Sequence, residues 1–106
     1  MRTMELDAYV VDTLMPDLVG HDHQPSAFLV YLFLWGQTRG RGVDEAAVSL
    51  RQIAEGTGIS RRAAQDAIAR LADRRLIGVE RASITAVPRY RVHRPWARWM
   101  EPAPSA

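Results

Sequence analysis

The fold of this chain is decided by residues 49–80, which read SLRQIAEGTGISRRAAQDAIARLADRRLIGVE. Ser49 is followed three residues later by Gln52, the spacing of a capping box, in which the serine hydroxyl accepts one backbone N–H bond and the glutamine side chain returns another. A helix is therefore predicted to begin here. It can run only to about Gly56, because Gly58 suits the positive φ that ends a helix and turns the chain sharply.

A second helix is predicted from Ser60, which caps it, to about Arg74. Its apolar residues recur every three or four positions and so share one face: Ala64, Ala67, Ile68 and Leu71. Small residues at Ala54 and Ala64 allow the two helices to cross closely. Two short helices joined by a tight turn with glycine are typical of a helix-turn-helix. The alternative is an ordinary helical hairpin in a small bundle.

The segments on either side of this motif complete the predicted fold. Two β-prone runs, Leu76 to Val79 and Tyr90 to Val92, predict a two-stranded hairpin with a long tip, that is, a wing. At the other end, a helix from Met4 to about Leu14 is followed at Pro16 by a turn or short helix that Gly20 ends. A further helix, apolar nearly all round, runs from Pro25 to about Gln37.

The predicted fold class is mainly α with a small β-hairpin: a winged helix-turn-helix with an additional N-terminal helix. A chain of 106 residues fits one domain. We expect residues 1–24 to form a helix and linker that pack on the core, residues 25–93 to form the winged domain, and residues 94–106 to form a tail containing Trp, Arg and Pro.

The stretch from Val48 to Val92 resembles the winged helix-turn-helix regulators of bacteria, especially the DNA-binding modules of the GntR-like and MarR-like kinds. The resemblance lies in the short helix, the Gly-Ile-Ser turn, the Arg-rich helix start and the "L-x-x-x-x-L-I" pattern leading into the wing. It implies that an arginine early in the first helix of the motif and the residues just after the Ser cap contact DNA. These residues are Arg51, Arg61, Arg62 and Gln65.

The chemistry of these side chains agrees with that implication. Arginine matches guanine O6 and N7 or a phosphate, glutamine pairs with adenine, and a helix N-terminus favours phosphate. We expect Arg51 and the wing arginines to contact phosphates. The full set of predicted DNA-binding residues is Arg51, Ser60, Arg61, Arg62, Ala63, Gln65, Arg81, Arg89 and Arg91. The later arginines of the motif, Arg70, Arg74 and Arg75, are expected to be solvated surface charges.

The wing is expected to contact phosphates through its strands. Arg81, Arg89 and Arg91 are like charges on neighbouring strands and would repel unless they face solvent or a polyanion. The tip, residues 82–87, lacks the Gly and Lys residues of strong minor-groove readers. Deep insertion of this tip is therefore not expected.

Composition and charge distribution limit the possible classes of function. The chain has fourteen Arg, no Lys and no Cys, which excludes disulfides and thiolate chemistry and fits a reducing compartment. Residues 1–48 carry three Arg and seven acidic residues, whereas residues 49–106 carry eleven Arg and five acidic residues. The basic half is where a polyanion would bind. Because the N-terminus does not read as a secretory signal and no apolar run is long enough to cross a bilayer, we expect a cytoplasmic protein with no membrane partner.

A homodimer is expected through the N-terminal helices. The run from Phe28 to Trp35 cannot turn all of its apolar side chains toward one neighbour, so a second subunit would cover part of it. The alternative is that the first helix alone covers this surface in a monomer.

The remaining candidate sites are weaker. His93 to Trp99 mixes bases with two indoles and would suit stacking on single-stranded nucleic acid, but we favour burial of Trp96 and Trp99 against the domain. His21-Asp22-His23 lacks a second cluster to complete a metal shell. No nucleotide loop or catalytic set is present, so neither catalysis nor a cofactor is expected.

The predicted function is sequence-specific binding of double-stranded DNA, as in a bacterial transcriptional regulator. The alternatives are a winged-helix module for protein interaction, in which the Arg face meets an acidic partner, and a plasmid or phage replication-initiation module.

Overall fold

Three α-helices form the main body of the protein. The computed structural model describes residues 1–99, the last of them through its backbone only. Helix α1 spans Pro25–Gln37, α2 spans Leu50–Thr57 and α3 spans Arg61–Asp73. Proline begins α1, where its missing N–H and fixed φ cost nothing. All three helices begin and end within two residues of the predicted limits.

The predicted caps of α2 and α3 are confirmed by their hydrogen bonds. The Ser49 hydroxyl accepts the backbone N–H of Gln52 at 3.1 Å, and the Gln52 side chain accepts that of Ser49 at 2.8 Å. Gly58 ends α2 with φ +80° and donates its N–H to the Ala54 carbonyl at 2.9 Å. The Ser60 hydroxyl then accepts the N–H of Ala63 at 3.0 Å and begins α3. These local bonds set the tight turn between the two helices.

Gly56 has a different part from the one predicted for it. It lies inside α2 instead of ending it. A Cβ atom at this position would stand 2.1 Å from Cε1 of Phe33 on α1. Any larger residue here would force the Phe33 ring to move, because this ring lies directly against the backbone of α2.

The β structure is a three-stranded antiparallel sheet. Strand β1 spans Glu45–Ala47, β2 spans Ile77–Glu80 and β3 spans Arg89–Val92. The spatial order is β1-β3-β2, so the predicted hairpin of β2 and β3 is confirmed and β1 is added to its free edge. The prediction of a hairpin alone missed β1, because three residues with two alanines carry no β-pattern of their own.

The core lies between α1, α3 and the inner face of the sheet. Tyr31 is fully buried at its centre, and its hydroxyl donates to the His93 carbonyl at 2.9 Å. Both alanines predicted at the helix crossing, Ala54 and Ala64, are buried. The largest fully buried side chains come from every layer of the fold: Tyr31, Leu18, Leu34, Ile53, Leu71, Val10, Val30 and Val92.

The N-terminal segment is wound differently from the prediction. Residues 1–7 form no helix, and two π-helical segments, Val10–Leu14 and Pro16–His21, follow. Pro16 has no N–H to continue an α-helical ladder, and wider turns flank it. Gly20 lies within the second segment and does not end it. Even so, the apolar residues spaced four positions apart in the sequence share one buried face where the segment is helical: Val10, Leu14 and Leu18.

Residues near the two ends of the described part of the chain meet at Tyr9 and Trp96. The Trp96 ring stacks on Tyr9 with centroids 4.6 Å apart, and the predicted burial of Trp96 is confirmed. A 3-10 turn, Pro95–Trp99, carries this indole. The Trp99 side chain and residues 100–106, which belong to the predicted tail, lie outside the described residues. Within residues 1–99, no helix combines the length and the apolar character needed to cross a membrane.

Candidate nucleic-acid interface

The start of α3 presents two exposed arginines next to each other. Arg61 and Arg62 are the first residues of the helix, directly after the Ser60 cap. Arg62 lies 3.6 Å from Asp66, and the two side chains are 85% and 60% exposed. Arg61 forms no ion pair within residues 1–99. Both guanidinium groups therefore remain accessible from solvent at the positive end of the helix dipole.

A third exposed arginine, Arg51, lies on α2. Arg51 donates from Nε to Glu55 at 2.9 Å, and both side chains are mostly exposed. Exposed pairs of this i,i+4 type contribute only about 0.3–0.5 kcal/mol. A phosphate group can replace such a carboxylate at little cost.

The other predicted residues of α3 differ in what they offer to a ligand. Gln65 is exposed, three residues after Arg62 on the same side of the helix. Ala63 is half-buried. The Ser60 hydroxyl is already bonded to the α3 backbone, so its observed part is to begin the helix and position the arginines.

The exposed surface of α3 carries charges of both signs. Its arginines are Arg61, Arg62 and Arg70, and its acidic residues are Asp66 and Asp73. Three arginines and two aspartates give the side chains of this helix a net charge of +1. The two arginines of the first turn lie ahead of both aspartates, so the positive charge is greatest at the start of the helix.

Two of the three wing arginines, Arg89 and Arg91, form ion pairs, which corrects the expectation that they face only solvent or a polyanion. Arg89 and Arg91 lie 3.0 Å and 3.3 Å from the two oxygens of Glu45 on β1. One carboxylate thus bridges two like charges and reduces their repulsion. The sequence prediction missed this arrangement because it missed β1.

Arg81 behaves differently from the other two wing arginines. Its Nη1 donates to the Ile84 carbonyl at 3.2 Å, within the loop that joins β2 and β3. No carboxylate within residues 1–99 pairs with it. Of the three wing arginines, it alone has no acidic partner among the described residues.

Arg74, expected to be a solvated surface charge, is a half-buried bridge. Its two terminal nitrogens lie 2.5 Å from Asp17 and 3.0 Å from Asp22, and its side chain is 30% exposed. Hydrogen bonds from His21 and then Arg74 lower the pKa of Asp22, while burial opposes them. The same bonds to Asp17 and Asp22 raise the pKa of Arg74. This bridge fastens the N-terminal segment to the end of α3.

The same cluster is the one group of three potential metal ligands found among the described residues. Ligand atoms of Asp17, His21 and Asp22 lie within 4.8 Å of one another. Both carboxylates already bind Arg74, and the His21 side chain is 83% exposed. The guanidinium group supplies the positive charge that a metal ion would bring.

The packing bears on two expectations about apolar surfaces, namely stacking on Trp96 and a dimer through α1. The less favoured alternative, stacking of single-stranded nucleic acid on Trp96, is excluded, because this ring is 3% exposed and its Nε1 donates to Asp7. Helix α1 is covered mainly by its own chain, and only Leu29 among its large apolar side chains is more than a third exposed. The apolar side chains that the N-terminal helical segments leave exposed are Val11, Met15 and Val19.

Comparisons with protein-family models, with curated proteins and with solved structures found no match for this chain. Its function is therefore inferred from the geometry and charge described above.

Proposed function

We propose that this protein is a winged helix-turn-helix that binds double-stranded DNA in a sequence-specific manner and acts as a transcriptional regulator. The observation that carries the proposal is the start of α3, where Arg61 and Arg62 project from a capped, exposed helix terminus. Support also comes from the order of elements, α1-β1-α2-α3-β2-β3, with the strands arranged β1-β3-β2. In this order α2, the Gly58 turn and α3 form the helix-turn-helix, and β2 and β3 form the wing.

The proposed mechanism places α3 in the major groove. A groove about 12 Å wide admits one helix, and its N-terminal residues then meet base edges. Arg62 and Gln65 project from one side of α3 and would read guanine and adenine. Arg51 would contact a phosphate, and Arg61 would face a base edge next to them. The dipole of α3 adds favourable charge at the same place.

The carboxylates of Glu55 and Asp66 would affect how these arginines bind DNA. On DNA binding, Arg51 and Arg62 would exchange Glu55 and Asp66 for phosphate or base oxygens. Because both pairs are exposed, this exchange costs little. A base pair that fails to satisfy Arg62 would leave Asp66 close to the polyanion, which favours sequence discrimination.

A homodimer through the N-terminal segments is part of the proposal. Val11, Met15 and Val19 are spaced four residues apart and stay 37–45% exposed. In a two-fold dimer this stripe would pack against its own copy. Two α3 helices would then read half-sites about 34 Å apart or a multiple of this distance.

Sedimentation of the full chain at increasing concentration tests the dimer. Met15→Glu places a charge in the middle of the stripe and should shift the protein toward monomer. Val43→Glu adds the same charge at an exposed valine outside this stripe and should leave the oligomeric state unchanged. A monomer at every concentration contradicts the dimer but leaves DNA binding by one subunit intact.

Titration with random-sequence duplex DNA tests the proposed function. A protein that contacts about six phosphates loses roughly a thousandfold or more in affinity between about 50 and 200 mM salt. Arg61→Ala should weaken binding. Arg41→Ala removes the same charge from the 3-10 turn that follows α1 and should leave binding unchanged. Absence of binding at low salt would contradict the proposal.

A second candidate function is favoured by the mixed charge of the same surface. Asp66 and Asp73 share the exposed side of α3 with its arginines, and Glu45 neutralises part of the wing. Such a surface also fits a protein partner with complementary charges. Failure to bind duplex at low salt, together with a folded chain, would favour this winged-helix protein-interaction module.

A further inference from the structure

The tip of the wing exposes an isoleucine almost completely. Ile84 is 90% exposed, and among the large apolar side chains of residues 1–98 only Met1 is more exposed. Burial of such a side chain in a partner removes its apolar surface from water and is strongly favourable. Scattered apolar residues on a surface need no explanation, but Ile84 stands at the end of a projecting hairpin, in a loop with two further features.

The first feature is that the loop holds Ile84 in place. The backbone N–H of Ala86 donates to the Ser83 carbonyl at 3.2 Å, which closes a β-turn with Ile84 at its second position. Arg81 donates to the Ile84 carbonyl at 3.2 Å and fixes the turn from the side of β2. A tip ordered in the free protein loses less conformational entropy on binding.

The second feature is the charge around the tip. Residues 80–92 contain three arginines and one acidic residue, Glu80, which lies opposite Arg89 in the sheet register. Arg89 and Arg91 are occupied by Glu45, whereas Arg81 has no carboxylate partner within residues 1–99. The exposed apolar side chain therefore stands beside the one wing arginine that has no ion-pair partner among residues 1–99. This combination fits a partner that offers both an apolar slot and negative charge.

We propose that Ile84 is an apolar wedge that enters the minor groove of duplex DNA and partly unstacks one base step, while Arg81 contacts an adjacent phosphate. This inference rests on the proposed function. Side chains such as isoleucine act in this way in minor-groove proteins and kink the duplex by about 20–90°. Stacked base pairs and the phosphates that flank them supply the apolar slot and the charge together. This proposal replaces the expectation from the sequence that the tip does not insert deeply, because the sequence did not reveal the exposure of Ile84. The wing would then act through its tip more than through the strand arginines.

The wedge requires a change in DNA shape, which can be measured separately from affinity. The probe is a duplex selected from a random pool by the full chain and labelled at both ends for energy transfer. The native protein should shorten the end-to-end distance. Ile84→Ala should restore the straight duplex and weaken binding by about tenfold. Val79→Ala truncates a 44% exposed apolar residue on β2, away from the tip, and should bend DNA normally.

Further variants separate the wedge from a general effect on the wing. Ile84→Phe keeps a large apolar group and should still bend the duplex, and Arg81→Ala should weaken binding and flatten its salt dependence. Because Ile84 is exposed, its variants should keep the native circular dichroism spectrum. If Ile84→Ala binds and bends DNA like the native chain, the proposal of a wedge is wrong, whereas the proposed function stands. The exposed tip would then fit contact with a protein partner instead. If the native chain binds no duplex at low salt, the proposed function itself is wrong and the wedge with it.

Discussion

The indole N–H of Trp96 donates a hydrogen bond of 2.8 Å to the carboxylate of Asp7, 89 residues away in the chain. Arg94 bonds to the same carboxylate oxygen at 2.6 Å. One acidic side chain near the N-terminus thus holds two donors near the C-terminus. This contact joins the two ends of the described chain over α1 and covers the core beside the Tyr9 ring.

Loss of the Asp7 carboxylate should destabilise the fold. In Asp7→Ala, the part-buried donors of Arg94 and Trp96 lose their acceptor, which costs about 1–3 kcal/mol in the free energy of unfolding. Urea denaturation followed by tryptophan fluorescence measures this. Asp12→Ala removes an exposed carboxylate of the same segment and should change stability little. Equal stability of the two variants would contradict the part assigned to Asp7.

A methyl group at position 56 should force α1 and α2 apart. Gly56→Ala places its Cβ against the Phe33 ring, so the gain in helix propensity is outweighed and the variant loses about 1–3 kcal/mol of stability. Gly20→Ala is the matched control, because a Cβ there meets no atom within 4 Å. Thermal unfolding of both variants compares them. A Gly56→Ala protein as stable as the native chain would show that the ring moves aside freely.

Stability should fall in acid because of the Asp22 cluster. The pKa of Asp22 is lowered in the folded protein, so near this pKa the unfolded chain binds more protons. The stability contributed by this carboxylate is complete above its unfolded pKa of about 3.9 and is lost as the pH falls through the lower folded value.

Urea midpoints measured from neutral pH down to acid test the Asp22 prediction. Asp22→Asn should be less stable near neutral pH and should show a smaller further loss in acid than the native chain. Asp12→Asn should keep the native pH dependence. If Asp22→Asn follows the native pH curve, this carboxylate does not provide the acid sensitivity.

Breaking the ion pairs of Arg89 and Arg91 with Glu45 should strengthen binding to DNA of any sequence. Glu45→Gln removes the carboxylate that bridges Arg89 and Arg91, so both become available to phosphates. The affinity should rise and the salt dependence should steepen by one to about two phosphate contacts. Asp44→Asn makes the same change of charge at the neighbouring exposed residue. Equal effects of the two variants would mean that net charge alone is responsible.

Base preference should depend on Arg62 and Gln65. Arg62→Ala or Gln65→Ala should relax discrimination at individual base pairs by about 1–3 kcal/mol. Arg51→Ala should instead weaken binding to all sequences alike, since phosphates carry no sequence information. Selection from a random duplex pool by each variant measures this. A uniform loss from Arg62→Ala would show that the reading surface lies elsewhere.

The helices and their limits were set by interactions that the sequence itself determines. The bonds of Ser49, Gly58 and Ser60 join residues three or four positions apart, and the burial of Ala64, Ala67 and Leu71 follows from helical spacing. Such contacts form wherever the local chain is helical, so residue types and intervals are enough to predict them. The exposed arginines at the start of α3 belong to this group.

Only the tertiary structure decided which of the other charges are free. Glu45 reaches Arg91 across 46 positions, Arg74 reaches Asp17 across 57, and Trp96 reaches Asp7 across 89. No local pattern marks these partners, because each pair forms only after separate elements have packed. The physical reason is that ion pairing depends on distances of a few ångströms, and the packing of α1, α3 and the sheet sets those distances.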